Sequence, residues 1–198
     1  MKTILYFFAV LLIFFPIISG CSEELPIEKN LQDQHFKLIN QNEHNIIFPD
    51  KYNGKIVLLG LIFTNCPDIC PMTTNNMYRI QQRLQQEKIY DVEFISLSFD
   101  PQRDTPFILR QYAEIRDINT AQWDFLTTDQ NTVDSLKRVL GFMAVSGDTS
   151  YTPEGKPYYF FVHTDRIQLI DQESRIRKNY KGSEIDLEQI ITDIKTLI

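Results

Sequence analysis

The sequence predicts a mixed α/β sheet flanked by helices, and three observations carry that expectation. Leu58-Leu59-Gly60-Leu61-Ile62-Phe63 is an almost unbroken apolar run, which reads as a strand buried on both faces. Strand-like runs then alternate with segments of helical apolar spacing, the pattern of parallel strands joined by helical crossovers. Near the end, two strand-like runs surround a polar turn and a last amphipathic segment follows, which adds antiparallel pairing and a closing helix.

In chain order, residues 36–40 and 45–48 form an N-terminal hairpin around the polar turn 41–43, and 49–54 is a loop. Residues 55–64 make the central strand. Residues 71–87 carry Met77, Ile80 and Leu84 at helical spacing among Gln and Arg, so a helix with one buried face follows. Residues 92–99 read as a strand. Pro106 opens a second helix reaching about Arg116, with Thr105 or Asp104 as cap. Residues 123–127 are a short strand, and 129–140 a helix stopped by Gly141. Residues 145–156, rich in Gly, Ser, Thr and Pro, form a loop-like insertion before a strand at 158–163. The closing hairpin is 167–171 with 175–180, and Ile190, Ile191 and Ile194 mark the buried face of a helix over 183–197.

Two cysteines lie where the central strand gives way to its helix, in Cys66-Pro67-Asp68-Ile69-Cys70-Pro71. A thiol pair at a strand-to-helix turn makes a thioredoxin-like arrangement the specific choice. Cys70 precedes a proline suited to the first turn of a helix, where backbone N–H groups favour thiolate over thiol. The spacing is one residue wider than the C-x-x-C of disulfide oxidoreductases; it permits a disulfide and leaves room for an ion between the sulfurs. A bridge closing so short a loop adds little stability, so the pair reads as chemistry, either reversible disulfide or soft-metal binding.

The Cys66–Pro71 segment resembles the C-P-D-x-C-P signature of the Sco (SenC) family of copper-binding, thioredoxin-like proteins. Ser98-Phe99-Asp100-Pro101-Gln102-Arg103-Asp104-Thr105-Pro106 and Phe161-Val162-His163-Thr164 are similar to that family's two later motifs at matching distances. The resemblance covers nearly the whole chain after its leader. It implies copper, as Cu(I) or Cu(II), held by Cys66, Cys70 and His163, and a role in building the binuclear copper centre of cytochrome c oxidase. The implied partners are the copper-bearing oxidase subunit or another copper protein, and a thiol reductant. Structural zinc usually takes four protein ligands, and only three candidates converge. Two departures stand out: Phe63 where the family often has Tyr, and Val162 where an acidic residue often precedes the histidine.

Residues 1–20 have Lys2, an apolar run from Ile4 to Ile18 and small residues before Cys21. They read as a lipoprotein signal peptide, with Cys21 lipidated, 21–34 a flexible acidic tether and 35–198 the folded domain. The expected location is extracytoplasmic, on a bacterial membrane through the lipid anchor. The formal net charge of -6 and the lack of a basic patch exclude nucleic acid as a natural partner.

Other candidates carry plainer readings. Asp68, between the thiols, tunes them, meets a partner or solvates the loop. Asp100 ends a strand on the edge where α/β sites gather, so it stands as a supporting or redox residue or as a turn former; Asp104 reads as a helix cap. Met77 falls on the apolar stripe as core, Met72 remains open as a thioether donor, and His35 and His44 read as surface residues. The competing function is metal-independent thiol–disulfide exchange on a partner's cysteines, which has no evident need of His163. Peroxide reduction ranks last, because Thr64 stands one residue too close to Cys66 for the peroxiredoxin pattern.

Overall fold

The computed structural model describes residues 24–198 except 152, 154 and 156; the leader and Cys21 lie outside the described residues. The central strand β4 (Ile56–Ile62) is buried at every position. It pairs in parallel with β5 (Val92–Ser98), which pairs in parallel with β6 (Trp123–Thr127). Helices α1 (Ile69–Gln86) and α2 (Pro106–Glu114) make the two crossovers. Both crossovers step the same way across the sheet, so right-handedness places the helices on one face. There Thr74 and Tyr112 share a hydrogen bond of 3.1 Å.

The sheet grows from this centre by antiparallel additions. The hairpin of β2 (Phe36–Asn40) and β3 (Asn45–Phe48) joins β6 through β2. Asn40, Lys51 and Tyr52 all donate to the buried Asp124 carboxylate of β6, which fastens this edge. On the other side, β11 (Ile167–Ile170) pairs with β4, and β12 (Arg175–Tyr180) pairs with β11. Helix α3 (Gln130–Leu140), capped by Asp129, ends at Gly141 in the left-handed conformation (φ 70°). Helix α4 (Leu187–Thr196) packs against α1.

Three expectations shift. Residues 22–34 are not all tether: β1 (Lys29–Asn30) pairs with β12, and Leu31 is fully buried. The buried Arg177 guanidinium, ion-paired to Asp171, also donates to the Leu25 carbonyl at 2.9 Å. A charge taken out of water requires such acceptors, so the folded part begins near residue 25 instead of 35. Two paired residues are too few to show any periodicity.

The second shift concerns 145–163. The expected strand at 158–163 divides into β9 (Pro157–Tyr158) and β10 (Phe161–His163), and neither joins the eight-stranded sheet. β10 pairs with β7 (Ala144–Ser146), and β9 with β8 (Ser150–Tyr151), so the insertion and the histidine strand form one ribbon standing off the sheet. The third shift is the start of α1 at Ile69. Pro71 then falls in the first turn, where its missing N–H leaves no helical bond unmade.

Met77 is core, as its position on the stripe implies. It is fully buried, and a Cβ added to Gly60 would stand 2.4 Å from its sulfur. Gly60→Ala is therefore expected to destabilise by about 1–3 kcal/mol in urea unfolding. In a Met77→Ala background the same change should be neutral or stabilising, because the new methyl enters space the thioether vacated; equal costs in both backgrounds would contradict this packing. Leu31→Ala should cost about 2–5 kcal/mol, whereas a tether residue would cost nothing measurable.

Candidate metal centre

The site is built at the carboxyl end of β4. Phe63 is buried, and after it the chain turns, with the Cys66 N–H bonded to the Phe63 carbonyl at 3.2 Å. Helix α1 then begins behind Asp68, whose side chain makes no capping bond. The Cys70 backbone N–H instead donates to the Cys66 sulfur at 3.4 Å. A sulfur thus takes the place of a capping oxygen on one of the helix's unsatisfied amides. Cys66 is half-buried, while Cys70, inside the first turn, is fully buried.

This arrangement makes the two thiols unequal. The Cys66 thiol is pulled down to about 5. Donation from the Cys70 thiol is the largest cause; partial burial opposes it, and the N–H groups of Cys70 and Asp68 add to it. Cys70 is pushed far up, first by sharing its proton with Cys66 and then by burial. The expectation that the helix start favours Cys70 as thiolate is corrected: the amide points at the sulfur before the helix, not at the sulfur within it.

His163 arrives from β10. Its Nε2 lies 3.7 Å from the Cys70 sulfur, and its Nδ1 lies 3.0 Å from the Thr164 carbonyl. A carbonyl only accepts, so Nδ1 carries the proton and Nε2 turns its lone pair toward the thiols. The rings of Phe99 (centroids 5.0 Å apart) and Phe63 (5.9 Å, edge-on) pack against the imidazole. One donor atom each from Cys66, Cys70 and His163 lies within 4.8 Å of the others, and among the described residues this cluster contains no carboxylate. Two sulfurs and an imidazole nitrogen, screened by phenyl rings, fit a soft metal ion such as copper.

The SCO1/SenC family description matches residues 25–198. The chain belongs to the SCO1/SenC family. It is 30% identical over 186 residues to the SCO1 protein homolog of Bacillus subtilis (strain 168), covering 93% of this chain and 92% of that relative. The SCO1/SenC family lipoprotein of Bacillus anthracis str. Ames matches with a TM-score of 0.72 and 27% identity, over 89% of this chain and 98% of its own. BsSco belongs to the Sco family of cytochrome c oxidase assembly proteins, and a disulfide switch has been identified in it. It matches at 0.71 and 26%, over 88% and 98%. The fold is the thioredoxin-like Sco fold.

Asp68 is exposed. Asp100 is buried and accepts from the Tyr159 hydroxyl at 3.0 Å, with the Arg103 guanidinium 3.7 Å away. Asp104 is not the helix cap; Thr105 is, accepting from the Ile108 N–H. Fully buried, Asp104 accepts from the Thr64 N–H at 3.1 Å and from the hydroxyls of Thr64 and Ser98. It ties the end of β4 to the end of β5 directly before the thiol loop, and burial pushes its carboxyl up to about 6 against these donors. Met72 is exposed, His44 is exposed, and His35 pairs with Asp50 at 2.9 Å on the surface. Sequence reasoning missed Arg103 and Tyr159; the two-residue spacing of Tyr159, Phe161 and His163 within the expected strand 158–163 was the available signal.

The inequality of the thiols is directly measurable. In the reduced, metal-free protein, iodoacetamide labelling of Cys66 should rise with a midpoint near pH 5, since a depressed pKa leaves the thiolate present above that pH. Cys70 should stay unlabelled until the chain unfolds. A Cys66 midpoint at the ordinary value of about 8.5 would contradict the arrangement.

Proposed function

We propose that the protein is a membrane-tethered copper chaperone that carries one copper ion on Cys66, Cys70 and His163 and serves assembly of the binuclear copper centre of cytochrome c oxidase. The observation that carries this reading is the convergence of three donor atoms within 4.8 Å from a loop and a distant strand. Two thiolates and one imidazole suit Cu(I), and an added oxygen ligand suits Cu(II), whereas structural zinc takes four closed protein ligands. Copper is cargo here. A ligand set with one half-buried and one buried sulfur gives an acceptor's thiols a side from which to approach. Residues 1–20 as a lipoprotein leader and Cys21 as its lipid attachment would hold the domain at an extracytoplasmic membrane surface. Among the described residues no helix is long and apolar enough to cross a membrane, and the Bacillus anthracis relative is a lipoprotein.

The asymmetry of the sulfurs favours a second activity, reduction of a partner's disulfide. The Cys66 thiolate attacks one sulfur of the partner's bridge, breaking it and forming a mixed disulfide while the partner's other sulfur leaves as thiolate. Cys70 then gives up its proton and attacks the Cys66 sulfur. The partner leaves as a dithiol and a Cys66–Cys70 disulfide remains, which a separate thiol reductant returns to the reduced pair. Copper binding requires that reduced pair, so the bridge would switch the metal site off.

The deciding experiment titrates Cu(I) and Cu(II) into the reduced chain from Ser22 onward and into its His163→Ala variant. A one-to-one complex in the parent, lost on oxidation and weakened at least about tenfold without the imidazole, is the expected result. Failure of the reduced protein to retain copper, with disulfide reduction intact, would leave exchange as the function and His163 as a packed strand residue.

A further inference from the structure

His163 sits on a ribbon that shares no strand pairing with the eight-stranded sheet carrying the thiols. Residues 164–166 alone join it to β11, and on its other side the side chains of the ribbon form a continuous row. Phe161 and His163 alternate along β10, so they point to one side, and Tyr159, between β9 and β10, continues the row by its contact with Phe161. Val162 points away and is 75% exposed. Phe161 packs on Phe63 (5.1 Å) and Phe99 (5.2 Å), the same two rings that flank the imidazole. Tyr159 stands edge-on to Phe161 at 5.5 Å.

The row is gripped at its outer end. The Arg103 guanidinium lies over the Tyr159 ring, 3.4 Å from its centroid, and donates to the Tyr159 carbonyl at 3.3 Å. The Tyr159 hydroxyl donates to Asp100, whose second oxygen is 3.7 Å from Arg103. Asp100 and Arg103 belong to the turn after β5 that Asp104 fastens to Thr64 beside the thiol loop. One end of the grip is thus fixed to the thiol side of the site and the other to the histidine ribbon.

We propose that Arg103 and Tyr159 are positioning residues that clamp the ribbon shut, so that the site offers three donors when the clamp is closed and a bare dithiol when it opens. The closed form holds the ion and the open form exposes the thiols to a partner. This rests on the reading of His163 as the third ligand. It adds a means by which one pair of sulfurs alternates between metal binding and thiol exchange. Tyr159 contributes both its ring, which stacks, and its hydroxyl, which bonds Asp100. A planar guanidinium lies flat on a ring while its edge bonds the carbonyl.

The test begins without metal, so that it does not depend on copper. Carbethoxylation of His163 by diethyl pyrocarbonate is followed by peptide mass spectrometry in the parent, Arg103→Ala and Tyr159→Phe, with exposed His44 as the internal reference. Loss of a stacked cation or of one hydrogen bond changes an opening equilibrium by roughly fivefold each. The His163 rate should rise by about that factor or more in both variants, with the Cys66 alkylation rate rising alongside it as the dithiol is exposed, while His44 stays constant. Circular dichroism identifies any variant that has not folded; should Arg103→Ala fail, Tyr159→Phe, which keeps the ring, decides alone. An unchanged His163 rate in a folded variant overturns the proposal. A second arm adds Cu(II) and reads the nitrogen hyperfine coupling of one imidazole by electron paramagnetic resonance. Affinity about tenfold lower with weakened nitrogen coupling supports the clamp, and parent-like affinity and coupling overturn it. If the parent binds no copper, the chaperone reading fails, and the metal-free arm still decides whether the clamp exists.

Discussion

The Cys70 amide donating to the Cys66 sulfur joins the fold to the chemistry. A helix needs its first amides satisfied, and here the Asp68 side chain leaves that task to a cysteine one turn back. The bond serves both structure and reactivity. It anchors the start of α1 against the end of β4, and it adds to the larger donation from the Cys70 thiol in holding negative charge on the more accessible sulfur. Burial of Cys70 then completes the division into one ready thiolate and one reserve thiol. The same asymmetry suits an exchange reaction, in which one sulfur attacks and the other resolves.

Around that bond the structure is layered by how firmly each part is held. β4 is buried throughout and paired on both sides, so the thiol loop leaves a rigid base. Asp104 extends that rigidity by tying the last residues of β4 and β5 together with three donors. The histidine ribbon has its own ladder between β7 and β10. It is held to the turn after β5 by aromatic packing, a cation–ring contact and two side-chain hydrogen bonds instead of a ladder to the eight-stranded sheet. Side-chain contacts of this kind open more readily than a sheet. A site assembled from one rigid and one less rigid partner suits the release step that the proposed chaperone role requires.

Much of the fold was legible because its signals are local. The hairpin of β2 and β3, strands β5, β6 and β12 and the Gly141 stop fall where pattern and turn chemistry place them. The errors came from residues whose partners are remote. Leu31 is one apolar residue in a polar stretch, and its burial depends on β12 nearly 150 positions later. Asp104 sits beside a helix start and reads as a cap. It is turned inward by Thr64, forty positions earlier, while its neighbour Thr105 does the capping.

The sequence by itself determined that two thiols stand at a strand-to-helix turn, because apolar periodicity and proline placement are written in consecutive residues. It also pointed to His163, though only through resemblance, since a single histidine on a strand has no local signature of its own. Tertiary structure decided which sulfur carries the charge, since that depends first on the thiols sharing a proton and then on how deeply each is buried and where one amide points. It also decided that the histidine rides on a separate ribbon, and that Arg103, Tyr159 and Asp100 meet across nearly sixty residues to hold it. Such contacts follow from chain packing in space, and no run of neighbouring residues encodes them.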